Sequence, residues 1–301
     1  MLAPVVLFAY KRYEHTRKVL EALNENTLAN ESELYIFCDG PKKEADYSDV
    51  EKVHQVINTF LEKSVFKKVY CSFAQQNAGL ANSVIRGVTD IMDRYGKVIV
   101  VEDDLITTKD FLQYMNNALS FYQDNKKIWS ISGFSFLDPE ELNYDHDIYM
   151  GYRGCSWGWA TWKDRWDMVD WEVKDYKQFA INPFMRKKLA ISGNDMPAML
   201  DLQMHGYISS WAIRWCYQQN KLGMYTVFPK CSRVRNIGLD GSGTHCGNSH
   251  NFDVQLGEHL TCNFEHLDTD PVVLKKYKKK FDKSLWICLK AYIKHVILGR
   301  K

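Results

Sequence analysis

The sequence predicts an α/β protein built on a mixed, mainly parallel sheet flanked by helices. Three observations predict it. Short apolar runs rich in Val and Ile alternate with longer stretches over about the first 125 residues. The longer stretches carry apolar side chains at three-four spacing, the helical period. The apolar share is 46% in 301 residues, enough for a sizeable core, which excludes disordered, collagen-like and low-complexity chains.

The elements follow in order. Residues 4–10 read as a buried strand, and residues 14–24 as a helix with Val19, Leu20 and Leu23 inward. Residues 34–38 form a second strand, stopped by the turn signal Asp39-Gly40-Pro41. Residues 50–63 are helical through Val53, Val56, Ile57 and Phe60, and residues 66–73 are a third strand. Residues 81–95 carry Val84, Ile85, Val88, Ile91 and Met92 on one helical face. Residues 97–101 form a fourth strand that runs into Glu102-Asp103-Asp104, and residues 111–122 are helical. After Trp129 the alternation fades. One more strand is expected at 129–132 and a short helix at 211–217, with Gly- and Trp-rich chain at 151–171 and loop at 234–250. Strand–helix alternation implies crossovers between parallel strands. Ligands then bind beyond the C-terminal strand ends, where Lys11, Arg12, Asp39 and the acids 102–104 should converge. Neither GxGxxG nor GxxxxGK[ST] occurs, which disfavours a dinucleotide fingerprint and a P-loop.

The net charge of +2 conceals an asymmetry. Residues 272–301 hold ten Lys or Arg against Asp282 alone, leaving 29 basic and 36 acidic side chains in the other 271 residues. An acidic body argues against nucleic-acid binding, and a basic tail points to an anionic surface such as a membrane. In that tail Phe281, Leu285, Trp286, Leu289, Tyr292, Ile293, Val296 and Ile297 fall on one helical face, as in an interfacial membrane helix. The eight Cys have no CxxC spacing. No run approaches the ~20 apolar residues of a membrane span, and no secretory pattern opens the chain. The expected location is the cytoplasm, with the inner face of the cytoplasmic membrane as the surface the tail would meet.

Glu102-Asp103-Asp104 is the sharpest signal. Adjacent carboxylates repel one another, so a bare turn gains nothing from them. Mg²⁺ or Mn²⁺ resolves the repulsion, using one or two carboxylates and completing its shell with substrate phosphates. At a sheet's C-terminal edge this suits a nucleoside diphosphate.

These segments resemble the GT-A (Rossmann-like) glycosyltransferases, and among them the N-acetylglucosaminyltransferase I family and its bacterial surface-polysaccharide relatives. The resemblance is carried by Phe8-Ala-Tyr-Lys-Arg-Tyr-Glu-His-Thr-Arg17, Cys38-Asp-Gly40, Asn77-Ala-Gly79, Val101-Glu-Asp-Asp-Leu105, Trp157-Gly-Trp159, Ser210-Trp-Ala-Ile-Arg-Trp215 and Asn236-Ile-Gly-Leu-Asp-Gly-Ser-Gly-Thr-His245. It implies a metal-dependent transferase moving a sugar from a nucleotide diphosphate sugar, UDP-linked, to a glycan hydroxyl in bacterial capsular or surface polysaccharide biosynthesis. It implies donor contacts at Ala9, Tyr10, Arg12, Asp39, Asn77, Glu102 and Asp103, with Asp39 on the uracil edge and Arg12 on the diphosphate. Asp104 would coordinate the metal. The expected halves are 1–130 for the nucleotide sugar and 131–250 for the acceptor within one domain, then a basic extension at 251–301.

An inverting reaction needs a base on the acceptor hydroxyl. The family places an acid just before the Trp at position 211, and this chain has Ser209-Ser210 instead. Asp201 or Asp195 could serve, with His205 a weaker choice. A retaining reaction or an impaired site are the alternatives. Trp157 and Trp159, with Trp211, are expected to stack on an acceptor sugar. His245, after Gly241-Ser-Gly-Thr, is expected on a lid and as a further metal ligand. A polyprenyl-diphosphate-linked acceptor would make membrane contact useful. Two other readings stand: a sugar-nucleotide or glycan-binding module without turnover, and a nucleotidyltransferase on a similar sheet.

Overall fold

The computed structural model describes residues 1–142, 144–240, 252–257 and 262–283. In chain order the first half runs β1 (Val5–Ala9), α1 (Tyr13–Asn24), β2 (Glu33–Cys38), α2 (Tyr47–Leu61), β3 (Lys68–Phe73), α3 (Leu80–Tyr95), β4 (Lys97–Glu102), β5 (Leu105–Thr107) and α4 (Phe111–Phe121). The second half runs β6 (Ile128–Ser132), α5 (Pro139–Leu142), β7 (Ile148–Gly151), β8 (Trp159–Trp162), α6 (Lys163–Trp166), α7 (Tyr176–Ile181), α8 (Pro183–Leu189), α9 (Asp195–Met204), α10 (Trp211–Leu222), β9 (Tyr225–Pro229), β10 (Val234–Asn236) and α11 (Pro271–Phe281).

Among the described residues the main sheet has eight strands in the order β3-β2-β1-β4-β8-β6-β9-β7. Strands β3, β2, β1 and β4 are mutually parallel. β8 runs antiparallel to both β4 and β6, β9 is parallel to β6, and β7 is antiparallel to β9. The sheet is therefore mixed and mainly parallel, as the alternation predicts. The order reverses at β1, which has β2 on one side and β4 on the other. That reversal opens a crevice at the C-terminal ends of β1 and β4.

Side-chain alternation explains the layers. In β1, Val5, Leu7 and Ala9 face α1, α2 and α4, while Val6 and Phe8 face α3. All five are buried, so the strand is apolar on both faces, as a central parallel strand must be. Helix α3 buries Ala81, Val84, Val88, Ile91 and Met92 and stops at Gly96, whose left-handed φ of 74° lets its N–H reach the Met92 carbonyl. The short strands β5, β7, β8, β9 and β10 escape the sequence reading. They are three to five residues long, too short for a period to show.

The Trp-rich stretch is core. Trp129, Trp159, Trp166, Trp211 and Trp215 are almost wholly buried and stack on one another, with Trp159 and Trp211 ring centres 5.0 Å apart. A third cluster receives α11, which buries Val273, Tyr277 and Phe281 beside Phe134, Tyr149 and Phe228. Phe281, expected on a membrane-facing surface, is instead 6% exposed beneath its own domain. The remaining members of that face, from Leu285 to Ile297, lie outside the described residues. Among the described residues no helix is long and apolar enough to cross a membrane.

Candidate functional site

A crevice of about 330 Å³ opens at the reversal point, lined by β1's end, the chain after β2 and β4, and the start of α3. Ala9, Tyr10, Arg12, Asp39, Asn77, Glu102 and Asp103 all line it, so the structure brings together the dispersed residues singled out in the sequence. Lys11, expected at the strand ends, lines it too, and Lys42, Ser83 and Ser209 join them there. Lys42 follows a strand end and could have been found by that rule. Ser209, noted where the family places an acid, arrives from a segment more than a hundred residues later.

The acids are held by one guanidinium. Arg12 Nη2 donates to Asp103 Oδ1 and lies 2.9 Å from Asp104 Oδ2. The Tyr10 amide also donates to Asp103 at 3.3 Å. Burial alone would lower the pKa of Arg12, but the two carboxylates outweigh it and raise it. Arg12 thus faces two carboxylates, with the Glu102 carboxyl beside them. Burial, reinforced by Asp104 and Asp103, pushes Glu102 up to about 8. Burial raises Asp103 as well, with Arg12 opposing.

This arrangement bears on a divalent cation. Among the described residues no three His, Cys, Asp or Glu side chains gather as a ligand set. An all-protein cage is therefore not what these residues offer. Uncompensated negative charge beside a crevice does fit a hard cation that takes one or two carboxylates and finds its other ligands in phosphate and water. Asp104, 9% exposed, does not line the crevice, and its Oδ2 lies 2.9 Å from Arg12 Nη2.

Asp39 has a structural role in addition to its place in the lining. Its Oδ1 accepts from the amides of Ala78 (2.9 Å) and Gly40 (3.0 Å), and its Oδ2 from the amide of Gly79 (3.0 Å). Asn77 Nδ2 donates to the Gly40 carbonyl at 2.9 Å. The carboxylate thus fastens the end of β2 to the start of α3. Three of its roughly four lone-pair sites are used, which leaves one for a ligand N–H.

The acid turn is covered from the far end of the chain. β10 pairs antiparallel with β5, directly after the acids. The Ile237 amide donates to the Asp104 carbonyl at 2.8 Å, and His15 Nε2 approaches the Ile237 carbonyl at 3.3 Å. Gly238 lies against the Arg12–Asp104 pair so closely that a Cβ there would fall on Asp104 Oδ2 and 2.7 Å from Arg12 Nη1. Only glycine fits. The Gly-rich segment is therefore anchored at the acids before it reaches residue 241. His245 itself lies outside the described residues.

Other expected site residues sit elsewhere. Asp201 is 3% exposed and paired with Arg186 through both oxygens, at 3.0 and 2.8 Å. Asp195 is paired bidentately with Arg153 at 2.9 Å. His205 Nδ1 lies 2.8 Å from the Asp201 carbonyl. None of the three lines the crevice, so none is placed as a base in this arrangement. Ser210, noted as a departure, caps α10 by accepting from the Ile213 amide at 3.3 Å. Trp159 and Trp211, at 0% and 3% exposure, present no ring face to a sugar, because core packing consumes both. Trp157 keeps some exposed surface but packs edge-on to Phe134 and does not line the crevice. Arg233 is buried against Asp110 and Tyr114.

No protein-family model matches the chain, and no curated protein matches it in sequence. Among solved structures the chain is similar to TarS of S. aureus, at 16% identity and TM-score 0.33, over 45% of this chain and 22% of that one. It is also similar to the mannosyltransferase PcManGT from Pyrobaculum calidifontis, solved with GDP-Man and Mn²⁺, at 9% identity and TM-score 0.41 over 74% of each chain. A UDP-glucose pyrophosphorylase solved with UDP-glucose shares 13% identity at TM-score 0.34, over 56% of this chain and 79% of that one. At TM-scores below 0.5 these likenesses carry no functional weight.

Proposed function

We propose that this protein is a glycosyltransferase that moves a sugar from a nucleotide diphosphate sugar, UDP-linked, to a glycan hydroxyl. One observation carries the reading: Arg12, Asp39, Asn77, Glu102 and Asp103, scattered over the first hundred or so residues, meet in one crevice at the sheet's reversal point, with Asp104 paired to Arg12. The sequence segments similar to the N-acetylglucosaminyltransferase I family support the same assignment and the placing in surface-polysaccharide biosynthesis. In this reading residues 1–130 hold the donor, residues 131–250 the acceptor, and residues 251–301 form an extension.

Each residue has a chemical task. Arg12 releases Asp104 and turns its guanidinium to the donor diphosphate, where it binds oxygen pairs in a fork. The free lone pair of Asp39 accepts the base imide N–H. Asn77 and Tyr10 border the same face. Asp104 would hold Mn²⁺ or Mg²⁺, which when bound offsets charge growing on the diphosphate. The acceptor hydroxyl oxygen attacks the anomeric carbon and gives up its proton to solvent water, the bond from that carbon to the phosphate oxygen breaks, and UDP leaves with the electron pair.

Calorimetric titration of UDP with and without Mn²⁺, on the wild type and on Asp104→Ala, tests the donor site. Metal-dependent binding that disappears in the variant is expected. No UDP binding under either condition would sink the UDP assignment, and GDP, CMP and dTDP would be tried next. A second reading, a sugar-nucleotide-binding module without turnover, is favoured by one observation: Asp195 and Asp201 are both spent on ion pairs. Product formation from UDP-sugars with a glycan acceptor would exclude it.

A further inference from the structure

We infer that a second cleft, at the far edge of the sheet, binds a phosphate-bearing ligand. It lies between α11 and the chain after β6, with a volume of about 490 Å³. Its floor is aromatic: Phe136, Phe252 and Phe281. Among the described residues its rim carries Lys276, Lys279, Lys280 and Lys283 with one acid, Asp138. α11 belongs to the third apolar cluster with β7, four strands from β4, or roughly 19 Å at the usual strand spacing. The cleft is thus separate from the crevice, and the inference does not rest on the crevice's function.

The lysines are gathered rather than scattered. Positions 276, 279 and 280 share one side of the helix, where like charges three and four apart oppose helix formation, and Lys283 follows two residues after the helix ends. The helix tolerates them because it is fastened on its other side. Val273, Tyr277 and Phe281 are buried, and Asp270 caps its start by accepting from the Val272 amide at 2.6 Å. Its end is tied too. The Asn194 amide donates to Asp282 at 2.8 Å, and the Lys283 amide donates to Asn194 Oδ1 at 2.7 Å. Below the floor, the Arg153 guanidinium sits 3.9 Å from the Phe281 ring centre. Lys280 Nζ lies 4.9 Å from the ring centre of Phe252, which holds an ammonium over the aromatic floor.

Ammonium groups along a phenyl-lined cleft, one of them over the Phe252 ring, suit a phosphate or diphosphate whose attached group is apolar or presents a flat face. That chemistry arrives either on a free small molecule or on a lipid headgroup. The test uses the full chain. Inorganic diphosphate is titrated calorimetrically in EDTA, which removes metal-dependent binding elsewhere. Flotation is measured with phosphatidylcholine vesicles, with and without phosphatidylglycerol. The variant is Lys279→Glu/Lys283→Glu, both exposed positions, with its melting temperature and UDP binding as controls. Diphosphate binding weakened at least tenfold in the variant, with both controls unchanged, supports a free-phosphate ligand. Flotation that requires phosphatidylglycerol and is lost in the variant supports a lipid headgroup. Wild-type protein that binds neither probe overturns the inference, as does a variant that binds as the wild type does.

Discussion

Replacing Asp39 with Asn separates fastening from ligand recognition. The carboxylate accepts three backbone amides at 2.9–3.0 Å. The isosteric amide offers one oxygen. If that oxygen keeps Ala78 and Gly40, the new NH₂ group faces the Gly79 N–H, donor against donor. One charge-assisted bond is lost, one amide is left without its acceptor, and the two surviving bonds lose their charge. Together these cost about 2–4 kcal/mol. For 301 residues the unfolding entropy is about 0.6 kcal/mol per kelvin, so the melting temperature falls by about 3–6 °C. Thermal melts of wild type and Asp39→Asn, followed by circular dichroism without ligand, check this. A variant that melts within one degree of the wild type yet fails to bind UDP would refute the reasoning, since Asp39 would then serve the ligand alone.

Two further outcomes follow from the geometry. Gly238→Ala places a methyl group on the Arg12–Asp104 pair; it should cost about 1–3 kcal/mol and weaken metal-dependent UDP binding at least tenfold, and unchanged calorimetry would count against this contact. Arg153→Met strands the Asp195 carboxylate, so denaturant titration should show a loss of about 3–5 kcal/mol. In the same protein, turnover per folded molecule should persist, because the Asp195 pair is outside the crevice; its abolition would restore Asp195 as a base.

The legible part of this protein is its first hundred residues. Strands β1, β2 and β4 are buried on both faces, so their runs of Val, Leu, Ile and Phe are unbroken. Helices α1 to α3 each show one apolar side. Charged side chains at strand ends could then be assigned to one crevice, because parallel topology dictates where strands finish. What the sequence concealed is who pairs with whom. Arg12 as the counter-ion of Asp103 and Asp104 spans more than ninety positions, and no local pattern encodes it. The tryptophans misled for a physical reason. Trp suits both a sugar platform and a large core void, and only burial distinguishes Trp159 from a site residue. Likewise Asp195 and Asp201 look available until Arg153 and Arg186 are seen beside them.

Strand β8 lies between β4 and β6, pairing Trp159 to Trp162 with Lys97 to Val100. The parallel quartet is complete in sequence at residue 102, yet its inner edge stays bare for another sixty residues. During synthesis that edge displays unpaired amides and carbonyls along Val98, Ile99, Val100 and Val101, a template for any extended strand nearby. A nascent chain must keep this edge from neighbouring copies until β8 emerges and inserts. Truncated chains that end before residue 162 would carry the same exposed edge permanently and accumulate as insoluble aggregate.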